Sequence, residues 1–268
     1  LERWRSCTET TGMTHLRSSS VQHIDLSPWS LERFAGERKG NRKRKGKKSG
    51  LFVPPYHRQA LSLFNDHCES VVEKFGLTEL HIQAMAVTCS VDCDGVTVGL
   101  KDGRTLDAQN LVLAIGGGDE PRWPTWAPRV EPRLQHIFDP GFEGCSSSPE
   151  RVAVIGGGIS AGQFALRLVK EGHDVSVVSR HALRQHQFDS DPGWHGPKRM
   201  GGFKREQDPD RRRAMLTEAR YPGSVSPDVR RALSRAIERA ELQWHQSEVQ
   251  SIEVADEGLI LELCGDTR

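Results

Sequence analysis

Net charge is nearly absent from this 268-residue chain: 37 lysines and arginines face 36 aspartates and glutamates. That balance excludes a strong pull of the whole chain toward nucleic acid or a membrane surface. Long hydrophobic runs are also missing, since the apolar stretches are strand-sized and far short of a bilayer span. No secretory signal is visible at the start. Six cysteines (Cys7, Cys68, Cys89, Cys93, Cys145, Cys264) are scattered without the spacing of a disulfide framework, a zinc site or a C-x-x-C redox pair. These absences point to a cytoplasmic protein with reduced, mostly structural thiols. They imply no metal and no nucleic-acid or membrane partner.

Against that background, residues 151–162, RVAVIGGGISAG, stand out. Val152–Ile155 reads as a buried strand entering a glycine turn. A helix follows, with apolar positions at Phe164, Ala165, Leu168 and Val169. Gly156, Gly158 and Ala161 fit the G-x-G-x-x-G/A dinucleotide fingerprint. The first glycine permits the tight turn, the second lets backbone approach a pyrophosphate, and the third small residue lets helix and strand pack closely. Gly157, Ile159 and Ser160 complete the stretch whose N–H groups and helix N-terminus would face the phosphates. A second apolar run, Val175–Val178, follows at βαβ spacing.

The end of that second strand bears on the choice of nucleotide. A site for NAD places Asp or Glu there to bond the ribose 2′-hydroxyl, whereas an arginine accommodates a 2′-phosphate. Here Ser179 and Arg180 are followed by His181, and Asp174 precedes the strand at the wrong end. The expectation is NADPH over NADH, with Arg180 on the phosphate and Ser179 as a hydroxyl donor.

Two halves of the chain share one plan. Leu63–Phe75 reads as an amphipathic helix, followed by strands near His81–Ala86, Val87–Val91 and Val96–Lys101. In the second half Val229–Ala240 reads as a helix, followed by strands at Gln243–His245, Val249–Val254 and Leu259–Cys264. The first copy continues into Leu111–Ile115, read as a buried strand ending in Gly116-Gly117-Gly118, and the second stops at Arg268. The glycine fingerprint heads only the second copy, so the expectation is a chain lacking material at both ends. Pro121, Pro124, Pro128 and Pro132 mark a stiff, non-helical connection. The basic run Glu37–Lys48, ERKGNRKRKGKK, reads as a solvated loop between a helix ending near Phe34 and a strand beginning at Leu51. Gln185–Pro209, with Trp194, His195 and Met200, reads as a Gly/Pro-rich loop, and Arg211–Ala219 as a short helix.

Together these residues resemble the two-dinucleotide-binding flavoproteins, in particular the flavin-containing and N-hydroxylating monooxygenases. LVLAIGGGDEPRWP, residues 111–124, is similar to that family's strand–glycine–proline junction, with Ile115 in place of its threonine. His136 in RLQHIF, Pro54-Pro55-Tyr56, and Met13–Ser19 also look like family segments. The resemblance implies an α/β fold of two Rossmann-like domains with parallel sheets and small antiparallel meanders. It divides the chain into a partial FAD-binding domain, 1–140, and an NADPH-binding domain, 150–268. It implies FAD beside Gly116 and Gly117, with His15, Arg17 and Ser18 lining the flavin pocket. The family's first glycine fingerprint has no match here, so the FAD domain is expected to be incomplete.

The function this implies is an NADPH-dependent flavoprotein oxidoreductase, monooxygenase-like, acting on oxygen or a small molecule. Hydride transfer needs no side-chain nucleophile or acid/base pair, so no catalytic residue is assigned. A disulfide reductase shares the fold but needs the missing C-x-x-C. An NADP-binding regulatory module, or a remnant without flavin chemistry, is the remaining alternative.

Overall fold

The computed structural model describes residues 2–41, 50–115, 121–142 and 144–264. The first half begins with α1 (Glu2–Thr10) and α2 (Ser30–Asn41), then the short strands β1 (Phe52–Val53) and β2 (Arg58–Gln59). Helices α3 (Leu61–Lys74) and α4 (Leu77–Leu80) lead to β3 (Ala86–Val91), β4 (Val96–Leu100) and β5 (Thr105–Ala108). The second half runs β6 (Arg151–Ile155), α5 (Ile159–Glu171), β7 (Asp174–Ser179) and β8 (Arg184–Gln185). A 3₁₀ turn, Pro192–His195, then precedes α6 (Pro197–Arg205), α7 (Pro209–Ala219), β9 (Ser224–Val225) and α8 (Pro227–Glu238). The last elements are β10 (Leu242–Gln246), β11 (Val249–Ala255) and β12 (Gly258–Leu263).

A three-stranded parallel sheet, ordered β10-β7-β6, organises the second half. Val152 lies opposite Val175 and Val154 opposite Val177, and Leu242 pairs with Val175 from the other side. The β-branched valines suit a pleated surface covered by helices. Helix α5 closes one such surface with Phe164, Ala165 and Leu168, and α8 adds Val229, Leu233 and Ala236 to the same core. Gly172, at φ +93°, ends α5, and its N–H donates back to the Leu168 and Val169 carbonyls. Strands β11 and β12 form an antiparallel hairpin outside this sheet.

The first half is antiparallel wherever its described residues pair: β1 with β2, and β3-β4-β5 as a meander. A smaller core of Leu31, Ala35, Ala60 and Leu63 joins α2 to α3. Three arginines tie the two halves together. The buried Arg58 pairs with Asp228 at the start of α8. Arg17 donates to the backbone oxygens of His186, Phe188 and Ser224 at 2.8–2.9 Å. Arg167 of α5 donates to the Glu9 and Thr10 carbonyls at the end of α1, at 2.9 and 3.1 Å, which satisfies acceptors that a helix end leaves free.

Several expectations are corrected. Leu111–Ile115 forms no strand; it pairs with no neighbour among the described residues, and Val112 and Ile115 are 85% and 83% exposed. Apolar composition alone does not make a strand without a partner ladder. His81–Met85 is irregular, and the third meander strand is Thr105–Ala108 instead. Helix α2 runs through the start of the basic run to Asn41, while positions 42–49 lie outside the described residues. The 185–209 loop contains two helical pieces, because Pro192 and Pro197 each occupy a first-turn position. Proline's missing N–H costs nothing in a first turn. The antiparallel meander expected in the second half is a two-stranded hairpin, since β10 joins the parallel sheet.

Candidate dinucleotide-binding site

Strand β6 delivers the chain into Gly156 at φ +138°, a conformation that favours glycine. The Gly156 N–H donates to the Val178 carbonyl at 2.8 Å, pinning the turn to β7. A Cβ built on Gly156 would lie 3.4 Å from Ala161 Cβ, so a larger residue at either position would push α5 away. Gly158 is the N-cap of α5 in an extended conformation and provides no side-chain cap. The first turn of α5 contains no acidic residue. Its free amides and partial positive charge are therefore not neutralised from within the helix, which is the condition for receiving an anion.

Gly157 meets a tighter constraint. A Cβ there would fall 2.7 Å from His181 Cε1 and closer still to Ser179 Oγ. Gly223, at φ +64°, packs against the same imidazole, and a Cβ on it would sit 2.6 Å from His181 Cε1. The His181 ring thus fills a notch between two glycines. His181 Nδ1 lies 2.9 Å from the Ala182 carbonyl oxygen. One residue past Ala161, Gly162 lets α8 and β9 approach, since its Cβ would lie 3.1 Å from Leu233 Cδ1 and 3.3 Å from Val225 Cγ1.

Gly156, Gly157, Gly158, Ile159, Ser160 and Ala161 are therefore brought together at one strand–turn–helix junction. Ser179 is buried beneath it, 3% exposed, and its hydroxyl accepts from the His181 N–H at 3.4 Å. Arg180 lies at the rim with an exposed side chain. Gly116 and Gly117 lie outside the described residues. Of the expected flavin-side residues, His15 Nε2 lies 2.8 Å from the Gly50 carbonyl oxygen, and Arg17 is committed to the carbonyls named above. Burial lowers the pKa of His136, whose Nδ1 accepts from the Phe138 N–H. The residues that local reading missed are His181, Gly162 and Gly223. Gly223 stands in a Pro-Gly turn signal, and His181 directly follows the pair chosen for the nucleotide.

The family model for pyridine nucleotide-disulphide oxidoreductase matches residues 57–195, just over half of the chain. The chain belongs to that family. The family's description names a pyridine nucleotide, the class to which the expected NADPH belongs. Among solved structures, the chain is similar to the ornithine hydroxylase of Pseudomonas aeruginosa at 15% identity and TM-score 0.62, covering 95% of this chain and 67% of that one. It is also similar to a lysine monooxygenase of Nocardia farcinica at 17% identity and TM-score 0.47, covering 98% and 65%. A bacillithiol disulfide reductase of Bacillus cereus matches at 17% identity and TM-score 0.48, covering 91% and 62%. The chain thus spans about two thirds of the length of these structures. At such identities the likeness to the hydroxylase concerns the fold, an α/β architecture as expected.

All six cysteines are free, and Cys89 and Cys93 are exposed in β3 and the turn after it. Among the described residues no cluster of His, Cys, Asp or Glu could hold a metal, and no helix is long and apolar enough to cross a membrane.

Proposed function

We propose that this chain is an NADPH-dependent flavoprotein oxidoreductase, monooxygenase-like, in which hydride passes from NADPH to FAD and on to oxygen or a small molecule. The reading includes the division into a partial FAD-binding unit, 1–140, and an NADPH-binding unit, 150–268. The observation that carries it is the uncapped, acid-free N-terminus of α5 behind the turn Gly156–Gly158.

In this reading the amides of Ile159, Ser160 and Ala161 bind the pyrophosphate, and Gly156–Gly158 let the backbone come close enough to do so. Arg180 provides a charged fork for the 2′-phosphate. Ser179 and His181 act from beneath, holding Gly157 in place. Gly116 and Gly117 are assigned to FAD by resemblance. His136 and His195 are candidates to hold or move a proton, and no catalytic residue is named.

The test is a titration of the purified chain with NADPH and NADH, followed by the amide signals of Gly156–Ala161 and by flavin absorbance. Those amides should shift, and NADPH should bind more tightly than NADH. Arg180→Ala should weaken NADPH by about tenfold, the scale of one charge-assisted hydrogen bond, and leave NADH nearly unchanged. Unmoved amides would remove the reading. A colourless protein that still binds NADPH would favour the alternative of an NADP-binding module without flavin chemistry.

A further inference from the structure

At the end of β7 the fold supplies an acid that the order of the chain does not. Strand β10 runs parallel to β7 with Gln246 opposite Ser179, so both chains leave the sheet at the same edge. The next residues, Ser247 and Glu248, are fixed there by backbone bonds. The Ser247 N–H donates to the Ser179 carbonyl at 2.9 Å, and the Cys264 N–H donates to the Glu248 carbonyl at 2.8 Å. The Ser247 hydroxyl also donates to the Cys264 carbonyl at 2.7 Å. Glu248 Oε1 consequently lies 3.7 Å from Arg180 Nη1, with the two side chains 58% and 77% exposed.

We propose that Glu248 is a specificity-determining residue of the nucleotide site. Its carboxylate competes with a 2′-phosphate for Arg180 and accepts a hydrogen bond from the 2′-hydroxyl when that phosphate is absent. An ion pair this exposed and this long is weak, so an incoming dianion opens it readily. An unphosphorylated ribose instead presents hydroxyl donors, the groups that an acid at a second-strand terminus receives in NAD-binding folds. Arginine and glutamate together give a site that takes both nucleotides and prefers the phosphorylated one only modestly. The proposal rests on the reading of Gly156–Ala161 and Arg180 given above.

Calorimetric dissociation constants for NADP⁺ and NAD⁺ test it across wild type, Glu248→Gln, Arg180→Ala and the double variant. Glu248→Gln should tighten NADP⁺ by about two- to fivefold, the scale of an exposed pair released. It should weaken NAD⁺ by a similar factor, so that the preference for NADP⁺ widens roughly tenfold. In the Arg180→Ala background the gain for NADP⁺ should vanish, because the competition it relieves no longer exists. A preference within twofold of wild type, or a gain that persists without Arg180, overturns the role of Glu248. Those outcomes leave the docking site intact as long as wild type binds and Arg180→Ala weakens NADP⁺. Wild type that binds neither nucleotide removes the docking reading, and the proposal with it.

Discussion

Two pentapeptides in this chain are nearly the same in kind and opposite in fate. Leu111–Ile115, LVLAI, and Arg151–Ile155, RVAVI, each run into three glycines. The second pairs residue by residue with β7, from Arg151–Asp174 to Ile155–Val178, and buries Val154 in the main core. The first has no ladder among the described residues and turns Val112, Leu113 and Ile115 to solvent. The difference lies in the neighbours. Val152 and Val154 find Val175 and Val177 beside them and α5 above, whereas LVLAI follows an antiparallel meander whose strand β3 is exposed along its length. A run of β-formers becomes a strand when something satisfies its backbone and covers its side chains.

The largest effect that sharpens this contrast lies in the covering helix. Leu168 is fully buried against the parallel sheet. Leu168→Ala should cost about 3 kcal/mol, within the range for deleting a buried leucine and leaving a partly relaxed cavity. Urea denaturation would check it; a cost below about 1 kcal/mol would mean that α5 is not held on the sheet as described.

Next comes the polar link between the halves. Arg58 is 1% exposed and Asp228 keeps 28% of its side chain in contact with water. Asp228→Asn leaves the Arg58 charge buried without its partner, and should cost about 2 kcal/mol, less than a fully enclosed pair. Burial resists ionisation of Asp228, but hydrogen bonding and the positive charge of Arg58 outweigh it, so its pKa lies below the ordinary 3.8. A depressed carboxylate pKa stabilises the fold above the unfolded value and loses that contribution as pH falls through the folded one. The stability gap between wild type and Asp228→Asn should therefore hold from pH 7 to about pH 4 and shrink below it. A gap that grows on acidification would contradict the pairing.

How far the sequence could be read follows the same division between local and distant causes. The fingerprint, α5 and β7 were legible because each depends on periodicity and on glycines acting within a few residues. Ser179 and Arg180 were legible as positions after a strand, but not in their orientations. Ser179 turns inward to fill space that Gly157 leaves open, and the His181 ring beside it rests against Gly223, 44 residues on from Ser179 in the chain. Glu248 is farther still and reaches Arg180 only because β10 and β7 end together. LVLAI misled because its pattern describes a strand's surfaces and says nothing of its partner. Pro192 and Pro197 misled because proline both breaks helices and begins them.

A smaller effect sharpens the helix side of the comparison. At Gly162 the side chains of Leu233 and Val229 from α8 and Val225 from β9 all come within 3.4 Å of where a Cβ would stand. Gly162→Val should cost about 1–2 kcal/mol by overpacking. The combination with Leu233→Ala should cost less than the sum of the two changes, because the smaller leucine position makes room. Strict additivity of the two would place the strain elsewhere.

The smallest effect is the one able to break the comparison. Leu113 is 72% exposed, and in the described structure it buries little against any neighbour. Leu113→Ser removes apolar surface that is already wet, so the folding free energy should change by no more than about 0.5 kcal/mol. Leu168→Ala, at about six times that size, is the reference against which the small value is read. If Leu113→Ser instead cost about 2 kcal/mol or more, the residue would have to be covered in solution. LVLAI would then be a strand with its ladder and its lid in place, and the contrast between the two glycine-tipped pentapeptides would collapse.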